Sequence, residues 1–180
     1  MTAAQADLQA EFLEMPEGLR IDRPEVADGA ALWRIARDSG KLDLNSSYSY
    51  LLWCRDFAGT SAVARSGPEG RPVGFVTAYL RPDRPHTLLV WQVAVDADQR
   101  GRGLAARLLD GLTARVADEY GVTAIETTIT PGNTASERLF TSYARRHGAA
   151  VETEVLFETG QFPDGPHDPE VLYRIGPLSV

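Results

Sequence analysis

The run Leu88 to Val95, Leu-Leu-Val-Trp-Gln-Val-Ala-Val, has one polar residue in eight. An apolar stretch this short and this rich in valine reads as a strand covered on both faces, so a chain that carries it must build a sheet around it. The pattern then breaks. Asp96–Arg100 is polar, Gly101-Arg102-Gly103 follows, and Leu104, Leu108, Leu109, Leu112 and Val116 recur at helical spacing. The centre of the chain is therefore a buried strand, a glycine- and arginine-rich turn, and an amphipathic helix that Gly121 ends.

The flanking elements follow from the same signals. Leu19–Ile21 reads as a first strand. Pro24 suits the first turn of a helix running to about Asp38, and Ser46 or Ser47 suits the cap of a second helix running to Phe57. Thr60–Arg65 and Val73–Leu80 read as strands, with a turn over residues 81–87 before the central strand. Residues 123–130 form another strand, and the segment after Pro131 a helix with Leu139, Phe140 and Tyr143 on its apolar side. Residues 150–157 and 170–175 are final strands around a Gly/Pro/Asp-rich loop. The order β-α-α-β-β-β-α-β-α-β-β predicts an α+β (mixed α/β) fold, with helices on a mixed, mostly antiparallel central sheet.

Composition bounds the function. At 180 residues the chain is long enough for a sizeable core, and residues 19–180 read as one domain behind a flexible tail, 1–18. The tail has neither a basic start nor a long apolar core, so it reads as neither a signal peptide nor a membrane span, and a cytoplasmic protein is expected. A net charge of −7 argues against a general nucleic-acid binder. The single cysteine, Cys54, excludes an intramolecular disulfide and reads as a buried packing thiol. His86, His147 and His167 lack metal-ligand or triad spacing, so no metal is expected.

The turn allows several readings. A helix N-terminus presents unpaired N–H groups and partial positive charge, glycines admit a bulky anion to the backbone, and Arg100 and Arg102 add charge: a phosphate cradle. A P-loop is excluded because no Gly-Lys-Ser/Thr follows. Gly101-x-Gly103-x-x-Ala106 matches a dinucleotide fingerprint, with Glu126 downstream, but the polar segment Asp96–Arg100 separates it from the strand. The third reading is R-x-x-G-x-A: Arg100, Gly103 and Ala105.

Preceded by "VWQVAVD" and followed by "TPGNTASERLFTSYARRHGA", that loop resembles the central motif of the GNAT acetyltransferase superfamily, and the element order agrees with that fold. The resemblance implies acetyl-CoA as co-substrate, with its pyrophosphate on residues 101–106. Arg100, Gly101, Arg102, Gly103, Leu104 and Ala105 would bind it, with Asn133 and Ser136 at the later helix. The pantetheine arm would lie along the backbone of Val93 and Val95, and the Val93 N–H would polarise the thioester carbonyl. An amine attacks directly, so no enzyme nucleophile is needed. Homodimers are common in this family. One departure matters: the helix position where many members carry a tyrosine general acid holds Phe140 here, with Tyr143 one turn away and Ser136 or water as alternatives.

Within the superfamily, "LDLNSSYSYLLWCRDFAGTSAVA", "GRPVGFVTAYLRPDRPHTLLVWQVAVD", "ETTITPGNTASERLF" and "FPDGPHDPEVLYRIGP" are similar to the diaminobutyrate acetyltransferases, over most of residues 42–177. That likeness implies acetylation of the γ-amine of L-2,4-diaminobutyrate, in ectoine biosynthesis. Such a site must hold one ammonium and deprotonate another whose free pKa is near ~10. Asp43, in a loop with Tyr48, reads as a substrate contact or a capping group. Trp91 reads as a substrate wall or a core aromatic. Glu170, opening the last strand, is chosen from the late loop (Glu158, Asp164, His167, Asp168) to meet the amine or its proton. Another amine, a non-catalytic acyl-CoA-binding module and a nicotinamide enzyme are the competing functions.

Overall fold

A strand buried on both faces takes an inner place in its sheet, and Leu88–Val95 does. The computed structural model describes residues 18–163, 165 and 167–178. The expected tail lies outside these residues, apart from Gly18. The strands are β1 Leu19–Asp22, β2 Ala62–Ser66, β3 Arg71–Arg81, β4 Arg84–Val95, β5 Ala124–Ile129, β6 Ala150–Phe157 and β7 Glu170–Gly176. The helices are α1 Gly29–Ser39, α2 Ser47–Asp56, α3 Leu104–Tyr120 and α4 Thr134–Arg146. The sheet order is β1-β2-β3-β4-β5-β7-β6, which puts β4 fourth of seven. β4 and β5 run parallel; the pairs β1–β2, β2–β3, β5–β7 and β6–β7 are antiparallel. The expected mixed, mostly antiparallel sheet is borne out.

The described residues pack as two compact units: those up to Thr77 with Gln92–Thr113, and Ala78–Trp91 with those from Ala114. In the first, Val63 pairs with Phe75 and Ala64 with Gly74, so alternation sends the two pairs to opposite faces. On one face Val63, Phe75 and Ala94 meet Leu32, Ile35 and Ala36 of α1 and Tyr50 and Cys54 of α2. On the other, α3 comes so close that a Cβ on Gly74 would lie 3.2 Å from Leu108 Cδ1 and 2.9 Å from Val95 Cγ1. The helices of this unit thus cover both faces of its strands. Leu108, Leu109 and Leu112 are fully buried, each contributing about 1.5–3 kcal/mol.

In the second unit, β7 lies between β5 and β6, in register from Ile125↔Ile175 and Val151↔Ile175. Glu126 is buried on β5, and its carboxylate accepts from Arg81 (3.1 Å), Arg84 (3.4 Å) and Arg174 (2.9 Å). These three partners remove Glu126 as the ribose-binding acid of a dinucleotide fingerprint.

Two boundaries and the partner of one capping side chain differ from expectation. The first helix does not begin at Pro24. Val26–Asp28 is a 3-10 turn and α1 starts at Gly29, because Asp28 turns back to accept the Glu25 N–H at 2.7 Å. Ser46 holds the N-cap position of α2, but its hydroxyl meets Ser49 Oγ at 3.1 Å instead of a backbone amide. The turn expected over residues 81–87 shrinks to Pro82–Asp83, since pairing within the sheet extends both flanking strands.

Candidate active site

β4 sorts its side chains by alternation. Leu88, Val90, Gln92 and Ala94 are buried, while Trp91, Val93 and Val95 lie on the more open face. Trp91 is 45% exposed, which removes the reading of it as a core aromatic. The β4–β5 ladder covers Thr87–Leu89, and β4 continues six residues further to Val95.

Asp96 ends this strand and fixes the start of the turn. Its N–H donates to the Val73 carbonyl at 2.8 Å, and its buried carboxylate accepts two bonds from Arg34 of α1, at 2.8 and 3.1 Å. The paired geometry is strong because both partners are charged, and it holds the Arg34 guanidinium above its ordinary pKa. Ala97–Gln99 makes one 3-10 turn, and Arg102 Nη1 donates to Gln99 Oε1 at 3.0 Å.

Gly101 and Gly103 have φ of +75° and +74°, in the left-handed region that other L-residues rarely occupy. A Cβ on either would meet nothing within 4 Å. The glycines therefore serve the turn's path and leave open space above its backbone. The Gly103 carbonyl accepts from Arg107 N at 3.1 Å, which makes Gly103 the N-cap of α3 and leaves the next backbone N–H groups without intrahelical partners. Arg100 and Arg102 are exposed beside them, Leu104 is buried, and Ala105 is half-buried.

Asn133 and Ser136, expected as coenzyme contacts, meet each other: Asn133 Oδ1 accepts from Ser136 N at 3.2 Å and caps α4. Phe140 is buried, and Tyr143 is fully buried and stacked on His147 at 4.2 Å between ring centroids. Tyr143 is thus a core residue. Cys54 is buried as expected, and burial pushes its thiol up to about 12, so it stays protonated at neutral pH. His86 Nδ1 lies 2.9 Å from the Gly121 carbonyl, and the described residues hold no cluster able to bind a metal. No helix among them is long and apolar enough to cross a membrane.

The acidic candidates have different mounts. Asp43 is exposed in an irregular segment, and its carbonyl accepts from Gln92 Nε2 at 2.9 Å. Tyr48, in the first turn of α2, is 64% exposed. Glu170 opens β7 as expected, and its Oε1 lies 4.0 Å from His167 Nε2. The His167 ring stacks on Phe162 at 3.9 Å and 14°. Glu158 begins a 3-10 turn, where its N–H donates to Gln161 at 2.6 Å; Asp168 is exposed, and Asp164 lies outside the described residues.

Residues 30–144, covering the strand, the turn and the two helices after it, match the Acetyltransferase (GNAT) family. The chain belongs to that family. Within it the chain falls among the diaminobutyrate acetyltransferases. It is 84% identical to L-2,4-diaminobutyric acid acetyltransferase of Streptomyces avermitilis over 99% of both chains. It is 72% identical to that of Streptomyces coelicolor, over 100% of this chain and 99% of the other. Among solved structures it is similar to the diaminobutyrate acetyltransferase EctA from Paenibacillus lautus, in complex with L-2,4-diaminobutyric acid and coenzyme A. That likeness has a TM-score of 0.83 and 42% identity, over 90% of this chain and 96% of that one. This acetyltransferase also buries a polar side chain that charge and motif spacing do not single out. Gln92, the lone polar residue of the apolar run, is buried and bonded, and its being the exception was the available signal.

Proposed function

We propose that the protein transfers the acetyl group of acetyl-CoA to the γ-amine of L-2,4-diaminobutyrate, giving N4-acetyl-L-2,4-diaminobutyrate and free CoA. The whole-length likeness to diaminobutyrate acetyltransferases carries this reading. The open backbone at Gly101 and Gly103 fits the coenzyme's pyrophosphate, with Arg100 and Arg102 supplying charge and Leu104 and Ala105 supplying helix-start N–H groups. The outward edge of β4 at Val93 and Val95 receives the pantetheine arm as an added strand would be received, and the Val93 N–H stabilises the oxygen of the attacked thioester. Asn133 and Ser136 contribute from the start of α4. Trp91 walls the amine site, and Asp43 with Tyr48 holds the ammonium that does not react.

The amine attacks the thioester carbonyl, the C–S bond breaks, and one proton leaves the nitrogen. Glu170 is the group assigned to that proton, mounted at the end of a strand and beside His167. The same reading puts the reaction in ectoine biosynthesis and in the cytoplasm, where acetyl-CoA is made.

Release of CoA thiol tests this directly, and the buried Cys54 adds no background. Thiol release with diaminobutyrate should exceed that with ornithine or a peptide N-terminus; a preference for either of those removes the assignment. Glu170→Gln should lower kcat/KM for the amine about a hundredfold, the lower range for loss of a general base. Unchanged amine kinetics would return that role to water.

The protein is also proposed to be a homodimer. β6 is an edge strand with Val151, Val155 and Phe157 exposed at alternate positions, and edges of this kind are normally covered. Light scattering should give twice the 19.6 kDa of one chain; a monomer at micromolar concentration refutes it.

A further inference from the structure

A glutamine on the helix-facing side of a central strand is costly to bury unless both ends of its amide are bonded. Gln92 is 5% exposed, and both ends are bonded. Nε2 donates to the Asp43 carbonyl at 2.9 Å, and Oε1 accepts from the Tyr50 hydroxyl at 3.0 Å. Reversing the amide would set its oxygen against the carbonyl, so the network admits one orientation. Tyr50 is itself 1% exposed, packed edge-on against Phe75 at 6.1 Å. Burial raises its phenol, which therefore remains a donor.

The Gln92 side chain of β4, held in turn by Tyr50 of α2, thus grips a segment that has no regular structure between Gly40 and Ser47. Asp43, Leu44 and Ser46 in that segment are exposed, so packing does little to place them. Gln92 is also the covalent neighbour of Trp91 and Val93. We infer that Gln92 is a positioning residue for the amine site: its amide sets where the Asp43 main chain stands relative to the strand that carries Trp91 and Val93. This rests on the assignment of Asp43 to the amine.

Gln92→Glu separates positioning from packing. It keeps the shape and the acceptor for Tyr50, but when ionised it has no donor for the Asp43 carbonyl. Loss of one buried bond, leaving the Asp43 carbonyl the longer bond from Asn45 Nδ2 at 3.4 Å, should raise KM for diaminobutyrate about tenfold, with KM for acetyl-CoA within about twofold. The defect should shrink as pH falls, because a buried carboxyl has a raised pKa and its protonated form regains a donor. Tyr50→Phe should raise the amine KM less, since the Gln92–Asp43 bond survives. Hydrogen exchange supplies a readout without turnover: amides of residues 43–46 should exchange about tenfold faster in Gln92→Glu, while α1 keeps its protection. Equal rises in both KM values, a pH-independent ratio to the parent, or unchanged exchange over 43–46 overturns the inference. If the parent enzyme does not acetylate diaminobutyrate, the proposed function fails, and the exchange experiment still decides whether Gln92 holds the loop.

Discussion

Gly103→Val should raise KM for acetyl-CoA about 30- to 150-fold and leave KM for the amine within about threefold. Two terms arise. A β-branched residue at φ +74° is strained by about 1–2 kcal/mol. Its side chain also rises into the space that the glycine leaves open, where a Cβ meets nothing within 4 Å of the protein itself. The second term exists only if a ligand comes to that backbone. The strain is present with and without ligand and drops out of the affinity, so the clash alone sets the KM effect: about 2–3 kcal/mol of lost coenzyme contact is roughly 30- to 150-fold. The free enzyme, with no clash to relieve, should lose only the strain, and its melting temperature should fall by a few degrees. Gly101→Ala, equally left-handed but only one methyl larger, should show a smaller effect in the same direction. A KM for acetyl-CoA that stays at the parent value, or one that rises in step with the amine KM, removes the cradle.

The second large effect is on stability. Arg65 donates to both oxygens of Asp28, at 2.8 and 2.7 Å, with side-chain exposures of 13% and 7%. The same guanidinium reaches Asp22 at 3.1 Å, and Asp28 also accepts the Glu25 N–H. Asp28→Ala leaves a guanidinium short of its main partner and an amide without its acceptor. Breaking a buried pair from one side costs about 3–5 kcal/mol. Domains of this size lose about 2–4 °C per kcal/mol, so the melting temperature should fall by about 6–20 °C. The double variant Asp28→Leu/Arg65→Met, which removes both charges, should recover a large part of that loss. A single variant within about 2 °C of the parent, or a double variant no better than the single, contradicts this account.

Legibility of the sequence followed the range of the interactions. The element order, the inner place of Leu88–Val95, the glycine turn and the start of β7 at Glu170 were readable, because side-chain period, turn chemistry and φ preference act between neighbours in the chain. The 3-10 turn before α1 was not, since it depends on Asp28 facing both Glu25 and Arg65, 37 residues away. Asn133 was visible as a residue of interest, yet its carbonyl oxygen proved to cap α4.

By itself, the sequence determined the strand–turn–helix unit and the residue types that a phosphate-bearing thioester and a diamine require. Tertiary structure decided which of those groups are available. It turned Trp91 outward, buried Tyr143, gave Glu126 three arginines, and brought the Gln92 amide to a carbonyl 49 positions away. The reason is physical: burial and hydrogen-bond satisfaction are set by partners far along the chain, and neither has a local signature in the sequence.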